Sequence, residues 1–192
     1  MQKEINSIIN ISNKLFNRHL VTGKAGNVSV KFKNNGKIII GITPTLKSLN
    51  NLKFNDIVLV DLEGNIISKG KPSSEVFMHL NIYKSNKNVN AIVHTHSPFA
   101  TGFSFSDKKI KRLEGFGKIE KPYLAEVNYE IPGTMDLANK VGEAIKNEDV
   151  LILKNHGVIS VGENLEEAFS LADFVEEIAK TQFITHTLNL IK

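Results

Sequence analysis

A chain of 192 residues with 41% hydrophobic composition is long enough for one domain, residues 1–192, with a sizeable core. At this size about 70% of the surface exposed by the unfolded chain is buried on folding. It has no cysteine, which excludes disulfides and thiolate metal sites and leaves His, Asp and Glu as metal ligands. The formal net charge of +4 is carried by scattered lysines and only two arginines, Arg18 and Arg112, so no basic, aromatic-interleaved stripe marks a nucleic-acid surface. The N-terminus does not read as a secretory leader and no segment is apolar enough to span a membrane, so a soluble cytoplasmic protein is expected.

Residues 4 to 19 carry Ile5, Ile8, Ile9, Ile11, Leu15 and Phe16 at helical spacing and predict an amphipathic opening helix. NVSVKFK alternates as a strand, and Asn34-Asn35-Gly36 predicts a hairpin turn into KIIIGIT. DIVLVDLEGNIIS predicts a strand, a turn at Glu63-Gly64-Asn65 and a further strand. Pro72-Ser73-Ser74 reads as a helix start into EVFMHLNIYKS, with a serine able to cap it and Glu75 in its first turn. AIVHTHSP, residues 91 to 98, reads as an apolar strand, and SPFATGFSF as a short helix. Residues 107 to 131 read as irregular, with apolar pieces around Phe116 and Tyr123. Pro132-Gly133-Thr134 introduces a helix near 135 to 146, VLILKN and GVISVG are short strands flanking His156, and a long helix begins at about Leu165. Early hairpins with interspersed helices predict a largely antiparallel sheet covered by helices.

Side chains alternate along a strand, so His94 and His96 share a face and can reach one point in space, which is half of a tetrahedral metal site. Two solvated histidines on a surface strand would look the same, and the rest of the chain has to decide. His156, held at a strand end and followed by Gly157, is a candidate third ligand. Glu75 is favoured near a helix N-terminus by the helix dipole, and on its own reads as a capping-region carboxylate. His79, one turn on, rivals His156 as a ligand but reads better as a satisfied structural histidine, while His19 and His186 read as surface positions. The loop Lys24-Ala25-Gly26-Asn27-Val28-Ser29 and the pair Ser73-Ser74 offer N–H and hydroxyl groups suited to a phosphate.

Together these residues resemble the class II aldolase/adducin family, over nearly the whole chain and in the right order. The resemblance is carried by AGNVSV at 25–30, ITPT at 42–45, KPSSEVFMHLNIY at 71–83, NAIVHTHSPFA at 90–100, Tyr129 ahead of Pro132-Gly133-Thr134, and LKNHGVISVG at 153–162. It implies a three-layer α/β/α fold around a central, largely antiparallel sheet, and a cyclic homotetramer with active sites at subunit interfaces. It implies that His94, His96 and His156 hold a divalent metal, most simply Zn2+, one per subunit. Glu75 is implied to be the catalytic acid/base and a metal ligand before substrate displaces it. Asn27, Ser73, Ser74 and Thr45 match the phosphate-binding positions.

The activity implied is cleavage of a phosphorylated ketose to dihydroxyacetone phosphate and an aldehyde such as lactaldehyde, through a metal-stabilised enediolate. Two positions depart from the family's aldolase pattern. Lys24 replaces a threonine and could pair directly with phosphate, and Leu46 replaces a glycine, which would restrict a backbone that needs positive φ. No residue matches the tyrosines that the family's aldolases direct at the aldehyde oxygen. A pentulose-phosphate epimerase of this fold typically has aspartate where this chain has Glu75, which favours an aldolase or a deoxy-ketose-phosphate dehydratase. A non-catalytic, adducin-like interaction domain would be free to lose the three histidines and Glu75, which are all present.

Overall fold

The opening helix α1 (Gln2–Asn17) buries Ile5, Ile8, Ile11 and Leu15 along one stripe, as its apolar spacing predicts. The computed structural model describes residues 1–113 and 121–191, so Phe116 lies outside the described residues. Strands β1 (Asn27–Asn34) and β2 (Lys37–Ile42) follow, joined by a tight turn in which Asn35 and Gly36 take φ of 49° and 77°. Left-handed backbone at both positions matches the twist of the flanking strands, which is why Asn-Gly serves there.

β3 (Val58–Val60) pairs with β2, but the strand expected after Glu63-Gly64-Asn65 is reduced to a single bridge between Ile66 and Val60. The Ser68 hydroxyl, not a backbone carbonyl, accepts the Leu59 N–H, and Ile66 and Ile67 are both exposed, so no face is buried that would hold a ladder. Then come α2 (Val76–Ser85), β4 (Ala91–Thr95), α3 (Pro98–Ser104), β5 (Ala125–Val127), α4 (Met135–Ala144), β6 (Val150–Leu153), β7 (Gly157–Gly162) and α5 (Leu165–Leu190). β5 lies inside the stretch expected to be irregular; three residues are too few to display alternation, and it forms only by pairing with β6.

The strands run in the order β3-β2-β1-β4-β7-β6-β5, antiparallel throughout except for the parallel β5–β6 pair. Ile40, Ile42, Ile92, Ile159 and Val161 pack on one face with α2 and α4. Val28, Val30, Ala91 and Val93 pack on the other with α1 and α5. The fold is a three-layer α/β/α arrangement with a central, largely antiparallel sheet, as expected. The parity of β4 decides where the histidines point. Ile92 faces the α2 layer, so His94 does too, at the end of the sheet where α2 begins.

Candidate active site

His94 sits in the central strand and is fully buried between β1 and β7. Its Nδ1 donates to the Val158 carbonyl at 2.9 Å, which leaves Nε2 as the nitrogen that faces the cluster. His96 follows the last residue of β4, and its Nε2 lies 3.0 Å from that of His94. His156, in the turn between β6 and β7, brings its Nε2 to 3.3 Å from the same atom. A tetrahedral ion with Zn–N bonds of about 2.0–2.1 Å separates its nitrogens by about 3.3 Å. The donor set therefore fits a divalent cation, and His94, His96 and His156 could hold one.

The turn that presents His156 departs from the expected one. The left-handed residue is Asn155 (φ 56°), not Gly157. Gly157 is needed for a different reason: a Cβ there would lie 2.4 Å from the Thr95 carbonyl oxygen and 3.3 Å from His94 Cε1. Only glycine lets β7 press against the end of β4 and bring the third imidazole to the first two.

Glu75 completes the cluster. It is the N-cap of α2 and not, as expected, a residue of its first turn, because Ser73 folds back on the entering chain. The Ser73 hydroxyl accepts the Glu75 N–H at 3.2 Å, and its carbonyl accepts the Val76 N–H at 3.1 Å. Glu75 Oε2 lies 3.3 Å from His94 Nε2, and Oε1 lies 3.4 Å from His156 Nε2. Oε1 is buried and has no hydrogen-bond partner, an orphaned acceptor of the kind that calls for a cation or a proton.

Burial works to raise the Glu75 carboxyl, but the neighbouring His94 and His156 imidazoles and the Asn27 amide outweigh it and hold Glu75 well below the usual carboxylate range. Burial, reinforced by the positive charge of His94, lowers His96 to about 3 and His156 to about 4. Both are neutral at neutral pH, the form that ligates metal. Burial also disfavours charge on His94, but the adjacent Glu75 carboxylate wins and raises it.

His79 is not part of the cluster. It is fully buried, with Nδ1 at 2.7 Å from the Ser29 hydroxyl and Nε2 on Asn27 Oδ1, so both ring nitrogens are engaged in the core. Burial, then the charge of His94, pushes it down to about 3. Its folded value lies below its unfolded one, so between about 6.5 and 3 the unfolded chain binds the extra proton and stability falls as pH falls. At pH 5 this costs about 2 kcal/mol. Urea unfolding at pH 7 and 5 is expected to show a smaller loss in His79→Gln; an equal loss would place the acid sensitivity elsewhere. His19 and His186 are exposed, as expected.

The residues expected to meet phosphate surround this centre unevenly. Asn27 is buried and its side chain is turned inward, donating to Glu75 Oε2 at 2.8 Å and accepting from His79, rather than facing out of the loop. Its second amide proton is what remains for an anion. The Thr45 and Ser73 loops are zipped together by a Pro44–Pro72 bridge and by Ser73 N–H to Thr43 O at 3.0 Å. Ser73 is buried, Ser74 exposed, Thr45 half-buried, and Lys24 exposed without a side-chain hydrogen bond among the described residues. None of these four side chains bonds directly to the imidazole cluster.

Leu46 does occupy a left-handed position (φ 60°), so this site is one that favours glycine, and the leucine side chain is turned out to solvent, 75% exposed. Left-handed backbone costs an L-residue about 1–2 kcal/mol, against about 0.5–1 kcal/mol of extra unfolded-state entropy for glycine. Leu46→Gly is expected to leave stability unchanged or raise the thermal midpoint by about 2 °C. A clear fall in calorimetry would mean that the exposed leucine packs against something.

Residues 6–183 match the family described as Class II Aldolase and Adducin N-terminal domain. The chain belongs to this family. As a member it is an enzyme of the class II aldolase type, a group that works with a divalent metal. It is 42% identical over 184 residues to the L-fuculose phosphate aldolase of Methanococcus maripaludis strain C5, covering 96% of this chain and 98% of that one. It is 32% identical to the 3-oxo-tetronate 4-phosphate decarboxylase of Haemophilus influenzae, covering 95% and 87%. The crystal structure of L-fuculose-1-phosphate aldolase from Thermus thermophilus superposes with a TM-score of 0.86 at 25% identity, covering 100% of this chain and 98% of the other. The class II aldolase frame thus accounts for the cluster's place at the sheet end. What the sequence did not reveal is the set of buried partners behind Glu75, because Ser29 and Tyr83 read there only as strand and helix residues.

Proposed function

We propose that the chain is a metal-dependent aldolase that cleaves a phosphorylated ketose of the fuculose phosphate type to dihydroxyacetone phosphate and an aldehyde such as lactaldehyde. The observation that carries this reading is Glu75: a buried carboxylate with one oxygen pinned and one unpartnered, set among three imidazoles. When bound at His94, His96 and His156, a divalent cation, most simply Zn2+, supplies polarisation of the substrate carbonyl and stabilises negative charge as the carbon–carbon bond breaks. Net cleavage takes a proton from the hydroxyl beyond the scissile bond and returns one to the carbon on the near side. Glu75 Oε1 holds and delivers that proton. Ser73, Ser74, Thr45 and the remaining Asn27 amide proton hold the phosphate, with Lys24 adding charge, so binding energy far from the reacting bond orients it.

The reading includes a cytoplasmic homotetramer with its active sites at subunit interfaces. Exposed Tyr129, Ile131 and Met135 support that arrangement, because the same loop brings Gly133 against the Ser74 carbonyl, close to the site.

The test is a panel of ketose phosphates incubated with the zinc-loaded protein, scored for dihydroxyacetone phosphate. Release of that product, abolished by chelator, is the expected result. An epimerised sugar with its carbon chain intact, or carbon dioxide from an oxo-acid phosphate, would overturn it in favour of an epimerase or a decarboxylase. Ser73→Ala is expected to raise KM for phosphorylated ketoses about 10-fold, the worth of one charge-assisted hydrogen bond, beside a fall in kcat because the same hydroxyl accepts the Glu75 N–H. An equal effect on KM for unphosphorylated ketoses would remove Ser73 from phosphate binding.

A further inference from the structure

Behind Glu75 a chain of hydrogen bonds runs into the interior through groups to which the proposed cleavage assigns no part. Asn27 Nδ2 donates to Glu75 Oε2 at 2.8 Å, and Asn27 Oδ1 meets His79 Nε2 at 2.5 Å. His79 Nδ1 lies 2.7 Å from Ser29 Oγ, which lies 2.7 Å from the Tyr83 hydroxyl. None of Asn27, Ser29, His79 and Tyr83 is more than 4% exposed. The arrangement follows from two periodicities. Asn27, Ser29 and Lys31 alternate on one face of β1, while Glu75, His79 and Tyr83 recur every four residues along α2. Strand and helix therefore interlock polar group by polar group, ending where Lys31 Nζ lies 5.3 Å from the centroid of the Tyr83 ring.

Only one proton arrangement satisfies every member. A carboxylate only accepts, so Asn27 must turn its amide nitrogen to Glu75 and its oxygen to His79. His79 must then carry its proton on Nε2, leaving Nδ1 bare. The Ser29 hydroxyl donates to Nδ1 and accepts from Tyr83. Every donor points toward Glu75. Burial keeps His79 neutral and raises the Tyr83 hydroxyl far above its ordinary value, so no member changes charge in the working range. A primary amide in the middle passes no proton readily, which makes the chain a brace and not a conduit.

We propose that His79, Ser29 and Tyr83 are positioning residues: through Asn27 they pin Glu75 Oε2 and so leave Oε1 as the oxygen that handles the proton. The inference rests on the acid/base role proposed for Glu75. Without the chain, nothing behind Asn27 holds its amide in the rotamer that reaches Oε2, and the carboxylate is free to rotate between its neighbours. Four polar side chains in a core cost free energy unless each is paired, and an apolar contact between α2 and β1 would serve packing alone.

The test combines a spectrum with kinetics. In 15N-histidine-labelled zinc-bound protein, the His79 signals, identified by their absence in His79→Gln, are expected to show Nε2 protonated and Nδ1 bare. A proton on Nδ1 would reverse the chain and overturn the proposal. Ser29→Ala is expected to lower kcat about 10-fold, the size of one lost hydrogen bond, with KM and metal content unchanged. Tyr83→Phe should lower kcat less, and Ser29→Thr, which restores a hydroxyl, should recover most of the loss. Wild-type kcat in a folded, merely less stable Ser29→Ala would overturn the positioning role. If the unaltered protein cleaves no ketose phosphate, the proposed reaction fails separately. The spectrum then still decides the chain: Nε2–H with a bare Nδ1 whose signal shifts in Ser29→Ala supports it, and a proton on Nδ1 or an Nδ1 signal unmoved by that substitution overturns it.

Discussion

Glu75→Gln is expected to reduce kcat for ketose-phosphate cleavage by about 10³-fold, the range over which a general acid/base contributes. The substitution keeps the size of the side chain and an oxygen that can accept from Asn27, so α2 and its zipped loop stay in place. What it removes is the ability of the unpartnered Oε1 to take and return a proton, together with the negative charge between His94 and His156. Metal content and substrate KM should change little, because the imidazoles and the phosphate loops are untouched. A coupled assay for dihydroxyacetone phosphate, with metal measured on the same sample, checks this. Normal turnover would take Glu75 out of the mechanism.

His94→Ala should lose the metal, with affinity lower by more than about 100-fold, the upper range for disturbing even an outlying partner of a ligand. His94 is the hinge of the cluster: its Nε2 lies within 3.3 Å of both other imidazoles, and its ring is fixed by Val158. The variant also removes the ring's hydrogen bond to the Val158 carbonyl and opens a cavity at a fully buried position, so folding is checked alongside metal content. His186→Ala, at an exposed position remote from the cluster, serves as the control. Elemental analysis after dialysis separates the outcomes. Metal retained by His94→Ala would point to a site elsewhere in the chain.

The two effects differ in kind, and that difference is useful. A variant that keeps metal and loses turnover isolates proton handling, whereas one that loses both isolates the ion. If Ser29→Ala behaves as a weak version of Glu75→Gln, the buried chain acts through the carboxylate. A weak version of His94→Ala would instead mean that it acts through the metal cluster.

Much of this site is legible in the residues alone because it depends on local rules. Period-two alternation puts His94 and His96 on one face whatever the rest of the chain does. The apolar run before them, the strands on either side of His156 and the amphipathic α1 and α5 follow from spacing in the same way. Local rules were less reliable where a neighbour decides. β5 exists only because β6 offers it an edge, and the strand after β3 is lost because Ser68 takes the Leu59 N–H. The shift of Glu75 from first turn to N-cap comes from the Ser73 hydroxyl, and the need for Gly157 comes from the Thr95 carbonyl across the sheet.

By itself, then, the sequence determined which candidate side chains share a strand or helix face, because that repeats with the period of the backbone. Its early hairpins and interspersed helical runs also determined a largely antiparallel sheet covered by helices, whereas the three-layer α/β/α frame was implied by the family resemblance. Only the tertiary structure decided that three imidazoles from β4 and the β6–β7 turn converge on one carboxylate from α2. It likewise decided that Asn27 faces that carboxylate, and that His79, Ser29 and Tyr83 stand in line behind it. These contacts join residues far apart along the chain: Asn27 and Glu75 are separated by 48 positions, His94 and His156 by 62. Their geometry is set by which strands lie side by side and how closely they press, a property of the packed sheet and not of any one segment.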